Sequence, residues 1–243
     1  MKHALVTGVS RGIGTAITDE LLVQNWRVTG TSRSGRFPDH FLANPAFAGL
    51  KVDFGEISMI IDAIKPLFSS QPPDVLVNNV GMFQAADFAI GDEQWMSVWA
   101  QTMQVNLVSS GLLCKWFINA HSQAGSSGII INIASRAAYR GDMQEFAAYA
   151  ASKGGMVALT KSIARGFGRQ GIYAYSIAPG FVDTDMARDS VEIYGEPYLT
   201  RDSCFDKMTQ PHEIGNLVAF LASGQVAHMT GSTFHINGGS YML

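Results

Sequence analysis

The sequence predicts an α/β fold: a doubly wound parallel β-sheet flanked by helices on both faces, in one domain covering residues 1–243. Three observations predict it. Short, predominantly apolar runs recur at residues 4–6, 75–77 and 129–134, as expected of strands buried on both faces. Segments of helical spacing separate these runs, so successive strands are joined by crossovers and run parallel. The first strand–helix junction is rich in glycine, Thr7-Gly8-Val9-Ser10-Arg11-Gly12-Ile13-Gly14.

Ala4-Leu5-Val6 is the first strand, and residues 15–26 show helical spacing through Ala16, Ile17, Leu21 and Leu22. Strand, glycine loop and helix form a dinucleotide-binding unit. The helix N-terminus offers free N–H groups and a positive dipole end to a pyrophosphate, and glycine lets the backbone come close. Gly8, Ser10, Arg11, Gly12, Ile13 and Gly14 are the candidate cofactor residues there, spaced GxxxGxG rather than GxGxxG. Residues 27–31 form the second strand. An acidic residue after it would select NAD through the ribose 2′-hydroxyl. Ser32-Arg33-Ser34 stands there instead, and Arg33 with Arg11 suits the 2′-phosphate of NADP.

Residues 35–48 read as a loop with a short helix, 50–54 as the third strand with Asp53 at its end, and 58–68 as a helix stopping before Pro72-Pro73. Residues 75–77 are the fourth strand, followed by Asn78-Asn79-Val80-Gly81. Thr7, Asp53, Asn78 and Ser135 all lie at strand ends, which puts them on the edge where such sheets bind ligands. Asn78 is expected to tie neighbouring loops together. Residues 92–121 are helical with Asn106 inside, where it bends the helix and offers a water site.

Ser135 ends the apolar strand 129–134. Tyr149 and Lys153 then stand i, i+4 on a helix spanning 149–168, stacked one turn apart on one face. A cation at that distance favours the phenolate, so Lys153 is expected to lower the tyrosine pKa and let it exchange protons near neutral pH. Residues 172–177 form the sixth strand, before Ala178-Pro179-Gly180. Residues 184–210 are weakly patterned and read as a lid over the site. Pro211 opens a helix ending near Ser223, 233–236 is a last strand, and Asn237-Gly238-Gly239 turns the chain back.

Composition excludes several functions. Apolar residues make up 47 % of the chain, enough for a large core. The net charge is −3 and the basic residues are scattered, so no nucleic-acid surface is expected. Cys114 and Cys204 are far apart and form no CxxC, which suits a reducing cytoplasmic compartment. No long uncharged apolar stretch predicts a membrane span, and no metal site is expected.

Taken together, Thr7-Gly8-x-x-x-Gly12-x-Gly14, Asp53, Asn78-Asn79-Val80-Gly81, Asn106, Ser135, Tyr149-x-x-x-Lys153, Pro179-Gly180 and Asn237-Gly238-Gly239 resemble the short-chain dehydrogenases/reductases over essentially the whole chain. In residues 178–186 and 235–239 the chain looks most like the bacterial 3-oxoacyl-[acyl-carrier-protein] reductases. The resemblance implies a Rossmann-type fold and an oxidoreductase that moves a hydride between NADP(H) and a carbonyl or secondary alcohol. It places Arg11 and Arg33 on the 2′-phosphate and Asp53, with Phe54 beside it, at the adenine. Asn79 and Gly81 would lie along the adenosine ribose, Val182 and Thr184 would hold the nicotinamide amide, and Pro179 and Gly180 would also contact the cofactor. Lys153 would hold the nicotinamide ribose, Ser135 and Tyr149 would bind the substrate carbonyl with Tyr149 as general acid/base, and Asn106 would hold a proton-returning water. The family also implies a homotetramer or dimer, paired through the helices at 102–121 and 149–168.

Departures from the pattern bear on these expectations. Ser135 lies fourteen positions before Tyr149 where thirteen is usual, so one residue is inserted between them; in strict register Arg136 would take the serine place. Val80 replaces the usual alanine. Of two arginines that dock an acyl carrier protein, only Arg169 has a counterpart, since residues 123–127 contain none. The Pro-x-Gly-Arg stretch expected before Pro211 is missing. Two alternatives follow: a 3-oxoacyl-[acyl-carrier-protein] reductase acting on a carrier-bound acyl group, and a non-catalytic NADP(H)-binding protein on the same fold.

Overall fold

Alternating side chains along the apolar runs face opposite sides of one sheet, and both sides are covered. The computed structural model describes residues 1–70, 72–185, 187, 191 and 195–242. Strands β1 (His3–Val6), β2 (Arg27–Ser32), β3 (Phe47–Lys51), β4 (Val75–Asn78), β5 (Gly128–Ile133), β6 (Ile172–Pro179) and β7 (Thr233–Ile236) pair in the order β3-β2-β1-β4-β5-β6-β7. Every pairing is parallel. The order reverses between β1 and β4, which opens the crevice in which such sheets bind ligands.

Helices α1 (Gly12–Val23), α2 (Asp39–Leu42), α3 (Ile57–Ser70), α4 (Asp92–Met103), α5 (Ser109–Ala124), α6 (Ala137–Arg140), α7 (Ala147–Phe167), α8 (Glu196–Thr200) and α9 (Pro211–Ala222) complete the fold. On one face Ala4, Val6, Val75, Val77 and Ile131 pack against Ile17 and Leu21 of α1 and Ile214 and Val218 of α9. On the other, Leu5, Leu76 and Ile130 meet Ile60 and Ile64 of α3, Leu113 and Phe117 of α5 and Ile163 of α7. Helices α1 and α9 touch at Gly215, where a Cβ would lie 2.7 Å from the Ala16 carbonyl oxygen.

Several elements differ from expectation. The third strand runs from 47 to 51 rather than 50 to 54, and Asp53 therefore lies two residues beyond it. The Phe47 ring sets this register, lying 5.4 Å from Phe37 and 5.1 Å from Phe41. The helical run 92–121 divides at a π-helical turn, Gln104–Val108, with Asn106 buried inside it. Between Ser135 and Tyr149 the chain forms α6 and a 3₁₀ turn, Gln144–Phe146, with Gly141 at φ 77° between them. The expected lid contains α8, and its residues 186, 188–190 and 192–194 lie outside the described residues. Helix α9 begins at Pro211 with a capping box between Gln210 and Glu213.

Candidate active site

The segment after β5 and the first turns of α7 bring Ser135, Tyr149 and Lys153 together. The Ser135 hydroxyl is hydrogen-bonded to the Tyr149 phenol, and it also accepts from the Ala137 N–H at 3.1 Å. Arg136 points away toward Ser240, so serine keeps its place and the extra residue is absorbed in α6 and the turn after it. The Phe83 ring meets Tyr149 edge-on at 4.9 Å and stacks on Phe146 at 3.9 Å. Lys153 is buried, its Nζ 5.8 Å from the centre of the Tyr149 ring and donating to the Ile133 carbonyl at 2.8 Å.

The acidities correct one expectation. Burial pushes the Tyr149 phenol up to about 12, against the opposing pull of the Ser135 hydrogen bond. The Lys153 ammonium one turn away does not offset that rise, and the same dry surroundings lower the ammonium itself to about 8, so it stays charged at neutral pH.

Asn106 is a strut between loops. Its Oδ1 accepts from the Met82 N–H at 2.7 Å, and its Nδ2 donates to the Met82 carbonyl at 3.0 Å and to Ser152 Oγ at 2.9 Å. Both side-chain N–H groups are thus used within the protein. Ser152 donates onward to the Tyr149 carbonyl at 2.7 Å, which connects the π turn to α7. Ser152 belongs to no motif of the sequence; its one signal is its place three residues after Tyr149, on the same inward face. Phe83 and Phe146, which wall the phenol, carry no pattern that distinguishes them from core aromatics.

The candidate nucleotide cradle lies at the β1–α1 junction. Gly8 and Gly12 have φ of 72° and 60°, a region that favours glycine, and a Cβ on Gly14 would fall 1.9 Å from the Gly8 carbonyl oxygen. Arg11 caps α1 without a side-chain hydrogen bond and the first turn holds no acidic residue, so its N–H groups are left for an anion. Ser10 and Arg11 are exposed and Ile13 is half-buried. Arg11 approaches Asp185 at 3.7 Å across exposed surface. Arg33 is exposed in the turn after β2. Asp53 accepts the Gly55 N–H on Oδ1 at 2.8 Å. A cleft of about 390 Å³ opens beside Gly12 and Thr184, lined by Asp19 and Pro211 but by none of Ser135, Tyr149 or Lys153.

Some expected contacts are redirected. The Phe54 side chain is buried in the core, so only its backbone can face a nucleotide. The Asn79 amide donates to the carbonyls of Thr7 at 2.9 Å and Gly8 at 3.0 Å, so this side chain holds the glycine loop rather than facing a ribose. Asn78 ties β4 to β5 through Asn132 Oδ1 at 2.8 Å, the bracing role expected of it. Gly81 abuts the lysine: a Cβ there would lie 3.4 Å from Lys153 Nζ. The Pro179 carbonyl accepts from the Arg136 N–H at 2.9 Å, and the Gly180 N–H donates to Ile236 at 2.8 Å. Val182 is buried and bridges Thr209, and Thr184 Oγ1 bonds the Val182 carbonyl at 3.3 Å. The cradle fits a dinucleotide, with glycines where a Cβ would intrude and a bare helix N-terminus facing the loop. Among the described residues no group of three His, Cys, Asp or Glu side chains could hold a metal, and no helix is long and apolar enough to cross a membrane.

The profile of the short chain dehydrogenase family matches residues 2–194. The chain belongs to this family. It is 36 % identical over 248 aligned residues to the 3-oxoacyl-[acyl-carrier-protein] reductases FabG of Vibrio cholerae serotype O1 and Escherichia coli (strain K12), covering 100 % of this chain and 98 % of each relative. Among solved structures, a 4-hydroxyisoleucine dehydrogenase complexed with NADH superposes with a TM-score of 0.89 at 25 % identity, covering 98 % of both chains. A 2-deoxy-D-gluconate 3-dehydrogenase from Agrobacterium tumefaciens with bound NADP, so named only provisionally, gives 0.88 at 28 % identity, covering 98 % of this chain and 96 % of that one. This short-chain dehydrogenase therefore carries the oxidoreductase architecture of its family along its whole length.

Proposed function

We propose that this short-chain dehydrogenase is an NADP(H)-dependent oxidoreductase acting on a carbonyl or secondary alcohol. The observation that carries the reading is the convergence of Ser135, Tyr149 and buried Lys153 beside the sheet's crevice. Gly8, Gly12, Gly14 and the α1 N-terminus would receive the pyrophosphate, and Arg11 and Arg33 the 2′-phosphate. The NADP-bound relative supports that preference, while the NADH-bound one makes Arg33 the residue to test. When bound, the reduced cofactor supplies the hydride.

The protein's part is position and proton supply. Ser135 donates to the substrate carbonyl oxygen and orients it. Tyr149, held protonated by burial, gives its phenolic proton to that oxygen as negative charge develops. Lys153 keeps positive charge beside the phenol, which eases loss of that proton. Phe83 and Phe146 keep water from the ring.

A panel of aldehydes, ketones, sugars and acyl thioesters with NADPH tests the reading through loss of NADPH absorbance. Tight NADPH binding with no turnover anywhere in the panel would favour a cofactor-binding protein instead. The FabG relatives favour acyl thioesters as one substrate class, and Arg169, exposed in the turn after α7, is the one docking arginine available. Exposed Met96, Val108 and Phe220 support self-association into a dimer or tetramer, and two free cysteines suit the cytoplasm.

A further inference from the structure

Arg136 directly follows Ser135, and only 7 % of it reaches solvent. Arginine is rarely buried without an anionic partner. Among the described residues no direct ion pair forms to Arg136: the charges of Asp142 and Asp202 favour it from a distance, while Asp202 is engaged by Arg140 at 3.2 Å and Arg201 at 3.7 Å. The guanidinium instead donates to Ser240 Oγ at 2.6 Å and lies 4.5 Å from the centre of the Phe181 ring, while the Arg136 N–H donates to Pro179. One side chain thus joins three parts of the chain: the strand end that carries Ser135, the segment leading into the lid, and the tail beyond β7.

The tail is fastened to the far half of the lid as well. The Gly238 carbonyl accepts from the Cys204 N–H at 2.8 Å, from Cys204 Sγ at 3.0 Å and from Ser203 Oγ at 3.3 Å. Gly238 has φ 60°, and a Cβ there would fall 2.3 Å from Ser203 Oγ, so the contact requires glycine. Arg140, one turn past Arg136, adds the link to Asp202. Burying a cation without a paired anion costs stability, so the position serves something other than stability alone. Burial and Arg140 draw the guanidinium down to about 10, against the opposing pull of Asp142 and Asp202, so it remains a cation at neutral pH.

We propose that Arg136 is a positioning residue, which through Ser240 and Phe181 locks the catalytic serine, the lid and the C-terminal tail into one reactive arrangement. This rests on the role of Ser135 given above. Small misplacement of a group that orients a substrate costs turnover out of proportion to the distance moved. Lysine would keep the charge but lose both the planar face against Phe181 and the fork.

Cys204 reports on the strap. It is the exposed one of the chain's two cysteines, and its thiol and its N–H both bond the tail. Wild type, Ser240→Ala, Arg136→Met and Arg136→Lys are compared in maleimide labelling rate at Cys204, NADPH affinity, melting temperature, and kcat and KM with an active carbonyl substrate. Ser240→Ala removes one bond to a charged donor and is expected to label about tenfold faster and lose about tenfold in kcat, with NADPH affinity within about twofold. Arg136→Met is expected to lose about a hundredfold in kcat, with Arg136→Lys between. Labelling and kcat unchanged in both Ser240→Ala and Arg136→Met overturn the proposal, as does a kcat loss that only follows cofactor affinity or melting temperature. If the wild type turns over no carbonyl, the oxidoreductase reading fails on its own. The labelling series then still decides whether Arg136 closes the strap.

Discussion

At Tyr149 and Lys153 the same dry environment pushes two groups toward their neutral forms, the phenol up to about 12 and the ammonium down to about 8. Their titrations therefore bracket the alkaline range. Below about pH 8 Lys153 is charged and Tyr149 protonated; above it the lysine loses its charge while the tyrosine keeps its proton. For carbonyl reduction, kcat/KM should be level on the acid side of pH 8 and fall above it. Lys153→Arg should carry the falling limb upward; a limb left in place would separate it from Lys153. Replacing Tyr149 by Phe should lower turnover by about 10²–10⁴-fold while NADPH titration gives an unchanged Kd. At Arg33, substitution by Glu should cut the NADPH-over-NADH preference in kcat/KM by about ten- to a hundredfold, since it replaces charge-assisted bonds with repulsion.

Among the elements, the π turn at Gln104–Val108 carries structural weight. It turns the Asn106 amide inward to hold both backbone groups of Met82 and the Ser152 hydroxyl. Asn106→Leu leaves those groups buried and unpaired, and urea denaturation should show a loss on the order of 2–4 kcal/mol. Equal stability would mean that the turn holds without its amide. The asparagine was visible in the sequence; the turn was not, because nothing local separates a π turn from a continuous helix. The third strand moved for a similar reason: its register follows Phe47 packing on Phe37 and Phe41, contacts that periodicity cannot see. The glycine loop was legible because its constraint is local. Gly14→Ala would press a methyl against the Gly8 carbonyl at 1.9 Å, and NADPH affinity should fall at least about a hundredfold.

For the whole molecule, the strand order places β1 and β4 at the centre, so Gly8, Asn79, Gly81 and Lys153 converge from three separate segments on one crevice. The apolar residues left outside, Met96 and Val108 near α4 and Phe220 on α9, predict an assembly larger than a monomer. Light scattering should report a dimer or tetramer, and Val108→Asp should shift it toward smaller species if that face is covered; a monomeric wild type removes the expectation.

By itself the sequence determined what depends on neighbours along the chain: strands buried on both faces, a glycine loop opening a helix, and Tyr149 stacked one turn from Lys153. Such features follow from periodicity and backbone geometry within a few residues. Only the tertiary structure decided what depends on partners far along the chain. Serine rather than arginine stands beside the Tyr149 phenol, with Arg136 drawn to Ser240, 104 positions away. Asn79 braces the glycine loop because Thr7 and Gly8 lie across the sheet from it, and Phe54 turns into the core. The acidities of Tyr149 and Lys153 reversed the simple pairing argument because desolvation, set by the surrounding fold, outweighs one charge placed a helical turn away.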